Sequence, residues 1–210
     1  MPSSGGQVPS ILWLLPPAVL CDTRAVSAPV DRTYDDISLR SAGLVLRAPG
    51  VGDVPDIVRA CRDPLTQQWL PLPNPYDESH AFGFVTEQAR AVWRSGFGIV
   101  RAIERDGEFA GMIDLKKTDW RGGTTEIGYW VSPDHRGHGL AGRAARLLGD
   151  WAIREQGMER VEIRSATGNL GSQKAALAAG YRQEGVLRSA GYTHTGRVDL
   201  VIFGKTSADL

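Results

Sequence analysis

The chain has 210 residues, with 24 Lys and Arg against 24 Asp and Glu, four His, and no net formal charge at pH 7. That length can bury the core of one domain without disulfide or metal staples. The charge balance argues against a dedicated nucleic-acid partner, and 42% hydrophobic with 23% charged residues argues against a disordered or collagen-like chain.

Residues 1–38 are rich in Pro, Ser, Gly and Ala and show no sustained period. The apolar run over 11–21 is shorter than the ~20 residues a bilayer span requires, and Pro16 and Pro17 break it. A secretory signal opens with basic residues, whereas the first one here, Arg24, follows the run. The stretch 1–38 therefore reads as an extension, poorly ordered or loosely docked, before one domain over 39–210, with no membrane partner. Cys21 and Cys61 make neither a disulfide framework nor metal-ligand spacing, and fit a reducing, cytoplasmic setting.

Within the domain, 44–47 reads as a short strand. The spacing of Val54, Ile57, Val58 and Cys61 predicts a helix over 53–62. Pro64, Pro71, Pro73 and Pro75 then predict a long irregular segment. A helix follows from Asp77 or Ser79 to about Arg94, stopped by Gly96. Strands over 97–104 and 109–118 flank Asp106-Gly107, a hairpin signal, and 125–131 is the next strand. The clearest helix, 140–156, carries Leu140, Ala144, Leu147, Leu148 and Trp151 on one stripe. A strand over 161–164, an Ala-rich helix capped by Asn169, and strands over 181–188 and 192–203 about an Ala190-Gly191 turn complete the chain. The order implies an α/β domain with a mixed sheet, an antiparallel hairpin region and at least one parallel crossover.

The segment Arg136-Gly137-His138-Gly139-Leu140-Ala141-Gly142 lies between a strand and the best helix. Unpaired amides and the helix dipole make such a place an anion site. Glycine at 137 and 139 admits phosphate oxygens close to the backbone, and Arg136, Arg143 and Arg146 add charge. Gly137-x-Gly139-x-x-Gly142 also matches the dinucleotide-binding fingerprint, with Glu162 about 20 residues on. Against that reading stand five residues between strand and first glycine, the placing of Glu162 inside a strand, and too little chain for a doubly wound sheet.

These residues resemble the GNAT acetyltransferases, and within them the ribosomal-protein N-acetyltransferase branch. The family's acyl-CoA loop is matched by Arg136-x-x-Gly139-x-Ala141, and the strand before it by Glu126-Ile127-Gly128-Tyr129-Trp130-Val131-Ser132-Pro133. Asn169-x-x-Ser172, then Gly180-Tyr181 and Glu184-Gly185-Val186-Leu187-Arg188, are similar to the branch's last helix and strand. Asp63-Pro64-Leu65 and Trp69-Leu70-Pro71 are similar to its early segment. The similarity runs from about residue 40 to 205.

The resemblance implies a mixed, mostly antiparallel sheet with splayed central parallel strands flanked by helices. It also implies acetyl-CoA as cosubstrate and an amine acceptor, either a protein N-terminus or a small-molecule amine. Arg136, Gly137, His138, Gly139, Leu140 and Ala141 would grip the pyrophosphate. Val131 would offer backbone groups to the thioester, and Gly128 would form a bulge at the opening. Glu126 is the candidate base, and its alternative is a solvated strand glutamate. Ser172 is the candidate acid, since Ala176 stands where many members carry Tyr; its alternative is a first-turn residue of the Asn169 cap. Asn169 would bond pantetheine, cap its helix, or both. Trp69 and the Pro-rich loop after it would wall the acceptor side, and the alternative is a surface loop with packed aromatics. His135 and His138 find no third ligand at workable spacing, so no metal is expected. A monomer or homodimer is expected. The competing readings are a non-catalytic acyl-CoA-binding module and, more distantly, a dinucleotide-dependent oxidoreductase.

Overall fold

In the computed structural model the described residues are 32–210. The extension's apolar run and Cys21 lie outside them. Over the described residues one sheet is formed by β1 (Leu39–Ser41), β2 (Leu44–Arg47), β3 (Ile99–Arg105), β4 (Glu108–Asp119), β5 (Thr124–Val131), β6 (Arg160–Ala166), β7 (Arg182–Thr193) and β8 (Gly196–Thr206). The spatial order is β1-β2-β3-β4-β5-β6-β8-β7, and only β5 and β6 pair in parallel. This is the expected mixed, mostly antiparallel sheet. It is not the doubly wound parallel sheet of a dinucleotide site.

Alternation along the strands builds two cores. Ile99 and Ile103 of β3 face a core shared with α5 (Leu140–Arg154) and α6 (Leu170–Ala178), while Val100 and Ala102 face one shared with α1 (Val54–Arg62). Asp106 and Gly107 both have positive φ and close the β3–β4 hairpin as expected.

Four local expectations change. Residues 64–69, expected to be irregular, form α2 (Pro64–Trp69). Asp63 caps it by accepting the Thr66 N–H at 2.9 Å, and Pro64 sits in the first turn, where its missing N–H costs nothing. The single helix expected before Gly96 is instead α3 (Glu78–Gly83) and α4 (Ala89–Arg94), joined by a π-type turn, Phe84–Gln88. Ala190-Gly191 is not a turn: the bulge lies between Leu187 and Gly191, and from Gly191, paired with Val198, β7 runs on beside β8 to Thr193. Gly128 is no bulge either: β4 and β5 pair in unbroken register from Gly111↔Val131 to Lys116↔Glu126.

Residues 32–38, assigned to the extension on composition, are docked on the domain. Tyr34 is fully buried, with its hydroxyl 3.0 Å from Thr118 Oγ1. Arg32 stacks on the Trp120 ring and donates to the Gln156 carbonyl. Among the described residues no helix is long and apolar enough to cross a membrane.

Candidate active site

The parallel ladder between β5 and β6 stops at Ile127↔Ile163. Beyond it, β5 stays bonded to β4 as far as Val131, and β6 to β8 as far as Ala166. The strands therefore splay, and a cleft of about 520 Å³ opens at their carboxyl ends. Tyr129, Trp130 and Val131 line it, together with the starts of α5 and α6 and the α2 residues Leu65, Thr66 and Trp69.

The ladder decides what β5 presents there. Ser132 N–H donates to the Ala110 carbonyl at 2.8 Å, so the bonds straddle the Gly111–Val131 pair, which is of the non-hydrogen-bonded kind. The peptide groups of Val131, and by the same alternation those of Tyr129, point away from β4 into the gap. Arg136 Nε donates to the Val131 carbonyl at 3.1 Å, which leaves the Val131 N–H facing the cleft.

Gly137 and Gly139 have φ of +81° and +69°, and a Cβ on either would meet nothing within 4 Å. This left-handed turn, costly for other residues, opens the first turn of α5 to the cleft. Gly139 caps the helix without a side chain. The amides of Leu140, Ala141 and Gly142 therefore have no intrahelical acceptor and carry the positive end of the dipole. An oxyanion fits this cradle.

The cations expected to reinforce it are committed elsewhere. Arg136 Nη2 donates to Asp63 Oδ2 at 2.7 Å and to Thr66 Oγ1 at 2.8 Å, tying the turn to the cap of α2. Burial opposes ionisation of Asp63, yet Arg136 and Thr66 outweigh it and hold the carboxyl below its ordinary 3.8. Arg143 donates to the carbonyls of Ser41 and Ala42, and Arg146 to that of Ala178. His138 is exposed, with Nδ1 2.8 Å from the Arg136 carbonyl oxygen, and it does not line the cleft.

Asn169 and Ser172 do line it. Asn169 Oδ1 accepts the Ser172 N–H at 3.1 Å, so the capping role holds. The Tyr129 hydroxyl donates to the Ser172 carbonyl at 2.9 Å and lies 3.1 Å from Ser172 Oγ. Burial raises the Tyr129 phenol above its ordinary 10 against the opposing Ser172 bond. Sequence reasoning missed this tyrosine, because it sought a hydroxyl on the last helix.

Glu126, three residues before Tyr129, lies on the other face of β5 and outside the cleft lining. Its oxygens lie 2.8 Å from Lys117 Nζ and 3.6 Å from both Lys116 Nζ and Arg164 Nε. Beside it, burial pushes the Asp114 carboxyl up while Lys116 pulls it down. A Cβ on Gly128 would overlap Asp114 Oδ1 and Lys116 Nζ, so glycine there makes room for this ionic cluster. Glu162, the ribose partner of the dinucleotide reading, is mid-strand and held by Arg160 and Arg164.

The sequence profile of the Acetyltransferase (GNAT) domain matches residues 43–182. YdaF of Bacillus subtilis is 33% identical over 115 residues, covering 53% of this chain and 63% of its own. The ribosomal-protein-serine acetyltransferase of Escherichia coli is 26% identical over 110 residues, covering 52% and 62%. In both, the matched stretch is less than two thirds of the relative's length. The fold is shared with RimL, a ribosomal L7/L12 alpha-N-protein acetyltransferase solved with coenzyme A (TM-score 0.73, 21% identity, 81% of this chain and 98% of that one). It is also shared with RimJ of Mycobacterium smegmatis solved with CoA-disulfide (TM-score 0.72, 24% identity, 82% and 87%).

Proposed function

The chain belongs to the GNAT acetyltransferase family, and we propose from that premise that it transfers an acetyl group from acetyl-CoA to a primary amine by direct attack. One observation carries the reading: the bare edge of β5 at Tyr129 and Val131 opens beside the uncapped first turn of α5.

Bound acetyl-CoA supplies an activated thioester. The amides of Leu140, Ala141 and Gly142 hold phosphate oxygens, and Gly137 and Gly139 leave the space those oxygens need. Arg136 shapes this grip by fastening the turn to Val131 and α2. The Val131 N–H is a backbone donor fixed in the gap, suited to polarising a carbonyl as an oxyanion-hole group does. The Tyr129 hydroxyl, held by the Ser172 carbonyl and Oγ, keeps its proton at neutral pH; it turns from that carbonyl to protonate the departing thiolate, and the phenolate then takes the proton that the attacking amine gives up. Glu126, held by three cations, keeps β5 and β6 in position rather than taking the amine proton.

The acceptor side favours a single amine on a small or apolar group. Leu65, Trp69 and Trp130 are apolar walls of the cleft, and the Lys174 ammonium disfavours a polycation there. A protein amine is the acceptor class that this wall and the E. coli relative's name support. Calorimetry with acetyl-CoA tests the grip, and thiol release across a panel of amino-terminal peptides and small amines tests transfer. Binding without release would favour a non-catalytic acyl-CoA-binding module; no binding at ~1 mM ligand would sink both readings.

A further inference from the structure

A second cavity, of about 330 Å³, shares no lining residue with the first. It lies where β2 ends: Arg47 pairs with Ala102, so residues 99–101 of β3 lack a strand neighbour on that side. The α4 side chains Ala89, Arg90, Trp93 and Arg94 close over the gap.

Three arginines converge there. Arg101 is 5% exposed, with Nη1 on the Val100 carbonyl at 3.2 Å and Nη2 on Asp36 Oδ1 at 2.7 Å. A guanidinium has five N–H donors, so most of its fork is left for another acceptor. Asp36 itself is half exposed. Arg90 and Arg94, one turn apart and exposed, have no partner among the described residues.

The lining thus carries three positive charges against the one negative charge of Asp36. A phosphomonoester, with about −1.5 to −2 charge at pH 7, balances the remainder, whereas a carboxylate neutralises half of it. Planar forks match phosphate oxygens bidentately. The volume sits at the lower end of small-ligand sites, and Pro49, Val85 and Trp93 give an organic group something to pack against. We propose that this arginine-lined cavity binds a small-molecule phosphomonoester, with Asp36 occupying part of the Arg101 fork until the ligand displaces it. The proposal does not depend on the activity assigned to the first cleft.

The test is an Nε–Hε spectrum of the full chain labelled with ¹⁵N-arginine, with CoA present to fill the other oxyanion site. Inorganic phosphate, phenyl phosphate and acetate are the titrants, and Arg90→Lys, Arg94→Lys and Arg101→Lys supply assignments. The Arg90, Arg94 and Arg101 signals should shift together and saturate with phenyl phosphate, at least about tenfold tighter than with acetate. Saturation by inorganic phosphate at equal strength would narrow the ligand to the free ion and overturn the monoester claim. The Arg90→Gln/Arg94→Gln pair should weaken phenyl phosphate about tenfold and leave CoA affinity unchanged. Asp36→Asn should tighten it, which a purely structural ion pair would not do. Shifts that follow ionic strength without saturating, or equal affinity for acetate, would refute the site. The three signals report on this cavity even if CoA fails to bind, so the two readings fail separately.

Discussion

Changing Asp63 to Asn asks whether Arg136 serves the cofactor directly or through α2. Asparagine still caps a helix, so the substitution removes charge and little else. Arg136 makes three bonds, at 3.1, 2.7 and 2.8 Å, and the Arg136 and Asp63 side chains are 30% and 19% exposed. Charged hydrogen bonds contribute ~1.5–3 kcal/mol when well shielded, and exposed ion pairs ~0–1 kcal/mol. The partial shielding places their coupling at about 1–2 kcal/mol, measured by a urea-denaturation cycle of Asp63→Asn, Arg136→Met and the double variant. Calorimetry on the same proteins should show both single variants weakening acetyl-CoA about three- to tenfold, without further loss in the double. A coupling below ~0.3 kcal/mol, with acetyl-CoA affinity lost in Arg136→Met and untouched in Asp63→Asn, would refute the tether and return Arg136 to the phosphates.

Four further outcomes follow from the site. Asp63 is held below 3.8 in the folded state, so its contribution is complete above that pH and is lost as pH falls through the lower folded value; the acid limb of stability should flatten in Asp63→Asn, by fluorescence-monitored unfolding. Gly139→Val places a β-branched residue at φ +69°, at a cost of about 1–3 kcal/mol, and covers the open amides; circular dichroism should show a folded protein while acetyl-CoA affinity falls more than tenfold. Tyr129→Phe should lower kcat about 10- to 100-fold with little change in KM for acetyl-CoA, and Ser172→Ala less; an unchanged kcat in Tyr129→Phe would remove the phenol from proton transfer. Glu126→Gln should lower stability by about 1–3 kcal/mol, because Lys116 and Arg164 lose a shielded partner, and leave the shape of the kcat–pH profile intact. Loss of one limb of that profile would restore Glu126 as the base.

Local patterns were enough for the features that local forces make. The 3–4 spacing in 140–154, the Asp106-Gly107 turn and the glycines at 137 and 139 each depend on residues within a few positions. Pro64 misled because proline both stops helices and starts them, and only the Asp63 cap decides which. The destination of Arg136 was hidden for another reason. Its partner Asp63 is 73 residues away, and no periodicity marks a contact made by the closing of a sheet. Arg143 and Arg146 behave alike: read as free charge beside a turn, they are spent on carbonyls of β1–β2 and of α6. The Tyr129–Ser172 contact joins two elements 43 residues apart. The sheet's splay itself follows from a register that ends at Ile127, which nothing in the composition of β5 announces.

The interrupted ladder also gives β5 two separable vocabularies. In the proposed function its peptide edge holds the cosubstrate through groups that every residue type shares, so an alanine scan across 129–131 should leave acetyl-CoA affinity nearly unchanged. Its side chains have other neighbours: the Tyr129 hydroxyl meets Ser172 of α6, and the Trp130 ring meets Phe109 of the second core. A change at Trp130 would therefore leave that peptide edge in place, whereas a change at Tyr129 would leave the edge but remove the hydroxyl that faces Ser172.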